Sequence, residues 1–211
     1  MHLRLARTLG NRALNVFIRL HSLLEQISRI AVWIGGAALL ICAFMVTGDV
    51  ILRKFLSITM SGSDEISGYV FAAGTTWAYS FCLLHRSNVR IDALYNFLPI
   101  WSRAVLDAVG LLLLLGYMTY LTNKSIDVFV TSWQRDSVSI TTLATPLWIP
   151  QLMWVAGLCW FVLTLSFLLV YVIVSLFLRD VVTVQKIAGA MSAEELLDEE
   201  THGMDTTRRG R

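Results

Sequence analysis

Four long windows without a charged residue dominate this chain. They cover residues 30–48, 66–84, 108–123 and 137–178. A helix needs about 20 apolar residues to cross a hydrocarbon core about 30 Å thick, so each of the first three windows is close to one membrane span. The fourth window exceeds one span even for a tilted helix. The pattern predicts an all-α integral membrane protein with four transmembrane helices.

The overall composition agrees with the membrane class. Of the 211 residues, 56% are hydrophobic and only 15% are charged, which is far more apolar than an ordinary soluble domain. The formal net charge is +2, so nothing indicates a nucleic-acid partner. The cysteines Cys42, Cys82 and Cys159 fall inside the predicted spans without a CxxC spacing. We interpret them as small packing residues.

Prolines set the expected limits of the third and fourth spans. The motif TPLWIP places Pro146 and Pro150 inside the fourth window, which argues against one continuous helix from Ser137. We predict a re-entrant or surface-lying segment over residues 137–148, followed by a span from about Pro150. Pro99 similarly predicts a short surface helix that ends at Leu98 and a third span that starts beside the proline.

The predicted organisation therefore has three parts. Residues 1–29 form a cytoplasmic arm, in which residues 12–29 place apolar side chains on one side and polar ones on the other. Such a helix is expected to lie in the headgroup plane. Residues 30–178 form the transmembrane domain, with spans at about 30–52, 66–84, 100–123 and 150–175. Residues 179–211 form a polar cytoplasmic tail.

Basic residues predict the orientation. Thirteen of the 17 lysines and arginines lie before the first span, between the second and third, or after the fourth. The other two loops hold only Arg53, Lys54, Lys124 and Arg135. By the positive-inside rule both termini are cytoplasmic and these two loops face outward.

Residues capable of chemistry are sparse in the predicted spans. The histidines His2, His21, His85 and His202 all lie outside them, which argues against bis-histidine haem ligation and an intramembrane metal site. The chain contains no GxSxG, HExxH or P-loop motif. We expect no catalytic residue, no cofactor and no metal, and therefore no enzyme.

Opposite charges flank the loop between the first two spans. Asp49 and Arg53 are four residues apart, the spacing and order of a favourable helical ion pair. Arg53 also faces Asp64 and Glu65, which open the second span beside exposed helix N-terminal amides. We predict that Arg53 pairs with Asp64 or Glu65 and ties the first two helices together. The alternative is that these charges contact a partner protein.

A strip of small side chains follows in the second span. Gly68, Ala72, Thr75 and Thr76 recur at helical spacing. Small residues let membrane helices approach closely, so we interpret the strip as a helix-packing seam rather than a substrate site. Trp77, Trp154 and Trp160 lie deep enough in their spans to face lipid or a partner protein.

The order of these features resembles the small membrane subunit of tripartite ATP-independent periplasmic (TRAP) transporters. The resemblance covers residues 31–171. It rests on VILRKF after the first span, SDEISGYVF at the second, VRIDAL followed by LP, and PLWIP before the fourth. The family's positions correspond to Arg53, to Glu65 with Asp64 beside it, and to Arg90 and Asp92. Asn88 stands where many members carry a histidine.

The resemblance implies a non-catalytic scaffold in the bacterial inner membrane. Its partners would be membrane lipid, a large TRAP membrane subunit and a periplasmic binding protein that delivers an organic acid for sodium-coupled uptake. One alternative is a homo-oligomeric small exporter or channel, whose best pathway residues would be Asp49 and Asp107. Another is a membrane redox protein, which the absence of histidines within the spans disfavours. The sequence of this chain does not identify the transported substrate.

Overall fold

The computed structural model describes residues 2–86 and 99–177 of the chain. Within them, four helices account for almost all residues: α1 (His2–Leu56), α2 (Ser63–Leu84), α3 (Ile100–Gln134) and α4 (Trp148–Phe177). The β-structure within these residues is a single antiparallel bridge between Val138 and Pro146. The predicted all-helical class is confirmed. The predicted surface helix up to Leu98 and the tail lie outside the described residues.

Three of these helices are long and apolar enough to cross a membrane. They are Arg19–Leu56, Trp101–Gln134 and Trp148–Phe177. The 22-residue helix α2 is free of charge after Glu65, but its serines, threonines and glycines keep its most apolar stretch below that of each of the other three helices. The prediction that residues 66–84, within α2, form the second of four membrane spans therefore stays a prediction.

The helix ends follow the prolines. Pro99 has extended backbone angles (φ −64°, ψ 151°) and immediately precedes α3, as predicted, because proline fixes φ without needing an amide partner. α4 begins at Trp148 and accommodates Pro150 in its first turn. α3 continues to Gln134, beyond the predicted span end at residue 123.

The arm and the first predicted span form one uninterrupted helix. α1 has 55 residues, which corresponds to about 80 Å at 1.5 Å per residue. No break separates residues 12–29 from the apolar run that follows. Where the arm lies relative to the headgroups stays a prediction.

The helices pack in an order that differs from their order along the chain. α1 packs on α2, α2 on α4, and α4 on α3. The two inner positions therefore belong to α2 and α4. α4 supplies the largest of the fully buried apolar side chains, which are Leu158, Leu165, Leu168 and Val172. Around them Leu83 and Leu84 of α2 and Ala104, Leu111 and Met118 of α3 complete the core.

Candidate functional site

Asp49 is the most enclosed charged side chain among residues 19–56 of α1. It retains only 2% of its accessible surface. Ser28, Gly35, Cys42 and Asp49 recur every seven residues along the helix, which keeps them on one side of α1. On this side Gly35 and Gly74 bring α1 and α2 close together, since a Cβ on Gly35 would lie 3.3 Å from the Gly74 Cα.

The Asp49 carboxylate accepts three hydrogen bonds. The donors are the Arg53 guanidinium at 2.8 Å, the Met60 backbone N–H at 2.5 Å and the Ser63 hydroxyl at 3.1 Å. Met60 belongs to the loop after α1, and Ser63 is the first residue of α2. A single buried carboxylate therefore fixes the end of α1, the loop and the start of α2 together. Hydrogen bonds to charged groups contribute about 1.5–3 kcal/mol each.

The prediction that Arg53 pairs with Asp64 or Glu65 was wrong. Its guanidinium pairs with Asp49, four residues earlier, at 2.8 Å, which confirms the expected pair within α1. Glu65 uses its carboxylate elsewhere, and Asp64 is exposed. The first two helices are tied at this end as predicted, but through Asp49. The local pair prevails because both side chains lie on the same helix, one turn apart.

Glu65 links α2 to the loop between α3 and α4. Its carboxylate accepts hydrogen bonds from the Tyr69 hydroxyl at 2.6 Å and from the Thr141 hydroxyl. Glu65 lies just before the uncharged run at residues 66–84. The bond from Thr141, followed by that from Tyr69, holds the pKa of Glu65 below its usual value, so the carboxylate form is favoured.

The segment 135–147, named here the α3–α4 hairpin, folds back on itself. The Leu147 N–H donates to the Ser137 carbonyl at 3.0 Å, and the Ser139 N–H donates to the Thr145 carbonyl at 2.9 Å. The predicted surface or re-entrant segment is thus a hairpin rich in hydroxyl side chains. Its closure leaves Thr141 and Thr142 at the turn.

The α3–α4 hairpin docks on the loop between α1 and α2. Beside the Glu65–Thr141 bond, the hydroxyls of Ser61 and Thr142 are hydrogen bonded. Gly62 has φ 97°, and a Cβ there would collide with the Leu143 side chain. Glycine is required for both reasons. The two loops predicted to face outward therefore form one continuous surface.

The predicted packing seam on α2 is displaced. Gly68 is exposed and has open space around it, so it packs against no neighbour within the described residues. Thr76 is buried, and a Cβ on Gly157 of α4 would lie 2.5 Å from its hydroxyl oxygen. Ala72 and Thr75 are half-buried between these extremes. The close approaches use Gly74 toward α1 and Thr76 toward α4.

Two further side-chain contacts join elements in the opposite half of the bundle, beside an ion pair within α1. The Trp160 indole N–H on α4 donates to the Ser28 hydroxyl on α1 at 3.2 Å. Glu25 of α1 bonds Arg29 at 2.5 Å and approaches the His85 ring nitrogen at 3.6 Å, just after α2. The sequence places Trp160 deep enough in its span to face lipid or a partner protein, and its N–H forms its hydrogen bond within the chain. Sequence reasoning missed Ser28 and Glu25, because neither belongs to a motif.

A comparison with known families decides the class of protein. The family of tripartite ATP-independent periplasmic transporters, DctQ component, matches residues 42–181. The chain belongs to this family. The DctQ resemblance inferred from the sequence is thereby confirmed. No curated protein and no solved structure matches the chain.

The DctQ match covers one end of the tied bundle more fully than the other. Asp49, Arg53, Glu65 and the α3–α4 hairpin lie inside the matched residues, whereas Glu25 and Ser28 precede them. Arg90 and Asp92, predicted as contact residues, lie outside the described residues. In the described part of this DctQ component, no three His, Cys, Asp or Glu side chains come together as a metal site requires. The side chains that do converge join helices.

Proposed function

We propose that this chain is a non-catalytic scaffold subunit of a TRAP transporter. In this role it supports a large membrane subunit during sodium-coupled uptake of an organic acid, which a periplasmic binding protein delivers. Membership of the DctQ family carries the proposal. The hydrogen bonds of the site support it, since the polar atoms of Asp49, Glu65 and Trp160 bond other segments of the same chain.

The proposed topology has four spans in the bacterial inner membrane, with both termini in the cytoplasm. The excess of basic residues in three segments supports this orientation. Docking of the loop at residues 57–62 against the α3–α4 hairpin supports it further. The two loops can meet only on the same side of the membrane, as an even number of spans between them requires. In this topology α2 also crosses the membrane, as the second of the four spans.

Purification and uptake test the function together. The tagged chain is purified in mild detergent from its native membrane, and uptake of organic acids is measured in cells that lack it. We expect a much larger multi-span protein to co-purify and sodium-dependent uptake to be lost. Re-expression of the wild-type chain restores uptake and serves as the control. A complex of this chain alone that transports in proteoliposomes would contradict the proposal.

A further inference from the structure

The N-terminal arm keeps an apolar strip on one side along its whole length. Residues 2–29 are helical within α1, so residues three, four or seven apart in the sequence lie on the same side. At this spacing six apolar residues form a strip, named here the arm strip: Leu5, Leu9, Val16, Leu20, Leu23 and Ile27. Arg12 and Arg19, seven residues apart, follow one edge of it. The arm therefore places basic residues directly beside an apolar surface.

The bundle leaves the described part of the arm strip uncovered. Leu20, Leu23 and Ile27 are 44%, 53% and 43% exposed. Leu24, in contrast, is 5% exposed and belongs to the hydrophobic core. α1 therefore turns the side with Leu24 toward the bundle, and the arm strip lies on a neighbouring side that the chain's own packing does not use.

The charge of the arm is of one sign. Residues 1–24 contain four arginines and no acidic residue. Glu25 is the first acidic residue of the chain, and its carboxylate bonds Arg29 at 2.5 Å. Arg19 is exposed. The arm therefore carries positive charges that no carboxylate of its first 24 residues can neutralise.

The arm leaves the bundle where α2 ends. A carboxylate oxygen of Glu25 lies 3.6 Å from the Nε2 of His85, which directly follows α2. The helical residues before Glu25 extend past this level by about 35 Å at 1.5 Å per residue. Because α1 has no break, the arm approaches the membrane surface through helix tilt and gentle curvature. On the proposed topology that surface is the cytoplasmic leaflet, whose surface potential is negative.

The acidic tail is the other anionic candidate for the basic edge. Residues 194–205 hold six acidic residues and no lysine or arginine. Their large apolar residues are Leu196, Leu197 and Met204, which are too few to cover the six residues of the arm strip. A lipid surface matches both parts of the arm, since acyl chains cover apolar side chains and phosphates bind guanidinium groups. The observations therefore favour lipid over the tail.

We propose that the arm is a binding surface for anionic lipid, with Arg12 and Arg19 on headgroup phosphates and the arm strip against the adjoining acyl chains. Basic amphipathic helices bind membranes through buried apolar area and attraction to anionic headgroups together. Each basic residue near an anionic surface strengthens binding about fivefold. A bilayer without net charge offers the apolar part alone, so attachment of the arm depends on lipid composition. This attachment is independent of the partner proteins in the proposed function.

Hydrogen exchange of the arm amides tests lipid binding on the full chain. The chain is reconstituted in nanodiscs of phosphatidylcholine, or of phosphatidylcholine mixed with an equal amount of phosphatidylglycerol. We expect the amides of residues 5–18 to exchange at least about fivefold more slowly with phosphatidylglycerol, the contribution of one basic residue. High ionic strength should remove the difference, because salt screens exposed charges. Equal exchange in the two lipids would overturn the proposal.

Paired charge variants separate the arm from the rest of the chain. Arg12→Gln combined with Arg19→Gln keeps good helix formers in α1 and should weaken attachment about 25-fold, so the protection by phosphatidylglycerol is lost. Arg208→Gln combined with Arg209→Gln removes the same charge from the tail and should leave the protection intact. Equal effects of the two variants would contradict the assignment to the arm. Protection that is the same in both lipids and disappears when residues 194–211 are deleted would identify the tail as the occupant and overturn the proposal.

Both leaflets of a nanodisc have the same composition, so the result does not depend on the proposed orientation. Co-purification of a larger membrane protein is not required either. A failure of lipid binding therefore leaves the proposed function standing, and a failure of the proposed function leaves lipid binding testable.

Discussion

α1 and α4 are both strongly apolar helices, yet they occupy opposite environments. Each contains an 18-residue window apolar enough to span a membrane, but only 6% of that window is buried in α1, against 50% in α4. Apolar character drives both helices into the bilayer. It does not decide which of them is buried by protein and which is covered by lipid, because lipid tails are as apolar as leucine. The number of packing partners separates them: α4 packs against both α2 and α3, whereas α1 packs against α2.

The largest expected effect concerns the closest approach of α4. Gly157→Leu would drive a side chain into Thr76 and Trp77, whose atoms lie 2.5–2.9 Å from a Cβ at this position. Overpacking of this kind costs up to about 3 kcal/mol. Gly36→Leu on α1 meets open space and should be nearly neutral. Reversible unfolding in mixed micelles measures both, and equal losses would contradict the contrast between the two helices.

A cavity in α4 should have the next largest effect. Leu165 is completely buried, so Leu165→Ala removes packing contacts that the surroundings restore only partly. We expect a loss of about 2 kcal/mol in the free energy of unfolding, the low end of the soluble range, because transfer between lipid and protein contributes little. Ile41→Ala on the exposed face of α1 should cost far less in the same titration. A larger loss at Ile41 would show that α1 is covered within this chain.

The attachment of α1 by Asp49 gives the third prediction. Asp49→Ala leaves the Met60 N–H, the Ser63 hydroxyl and the Arg53 guanidinium without their acceptor. Each unsatisfied buried group costs about 1–3 kcal/mol, reduced here because relaxation of the loop lets water reach some of these groups. We therefore expect a net loss of about 1.5 kcal/mol. Asp127→Ala, which removes an exposed carboxylate, should change stability by less than about 0.5 kcal/mol. Similar values for both would mean that the Asp49 bonds do not hold the loop.

The smallest effect concerns the bond that joins α1 directly to α4. Trp160→Phe keeps an aromatic ring but removes the N–H that donates to the buried Ser28 hydroxyl. A loss of about 1 kcal/mol follows from one typical hydrogen bond. Trp33→Phe, at a highly exposed position on α1, is the matched control. If both variants unfold at the same detergent concentration as the wild type, Trp160 makes no energetic contribution through this bond.

Much of the fold could be predicted from local patterns. The all-helical class, the boundary at Pro99 and the break before Trp148 follow from uncharged windows and from the backbone limits of proline. The pair between Asp49 and Arg53 was also predictable, because its spacing lies within one helix turn. Each of these features depends on residues close together in the sequence.

The remaining features depend on which helix faces which. Glu65 was expected to meet Arg53 across a short loop, yet Thr141, 76 residues away along the chain, bonds it instead. Gly68 and Thr76 looked equivalent as small residues on α2, and only the latter meets α4. The spatial order of the helices decides both outcomes. Apolar periodicity does not encode that order when lipid and protein interiors are equally apolar.

The inner position of α2 has a consequence for how the chain enters the bilayer. The most apolar stretch of α2 is less apolar than that of each of the other three helices, and α2 packs between α1 on one side and α4 on the other. Synthesis delivers α1 first, but α4 begins about 60 residues after α2 ends. On the proposed four-span topology, α2 leaves the translocon packed against α1 only. Its face with Thr76 and Ser80 is then exposed to lipid until α4 arrives. On this topology, insertion of the chain is a staged process, in which α2 packs on α1 first and on α4 only after α4 has been synthesised.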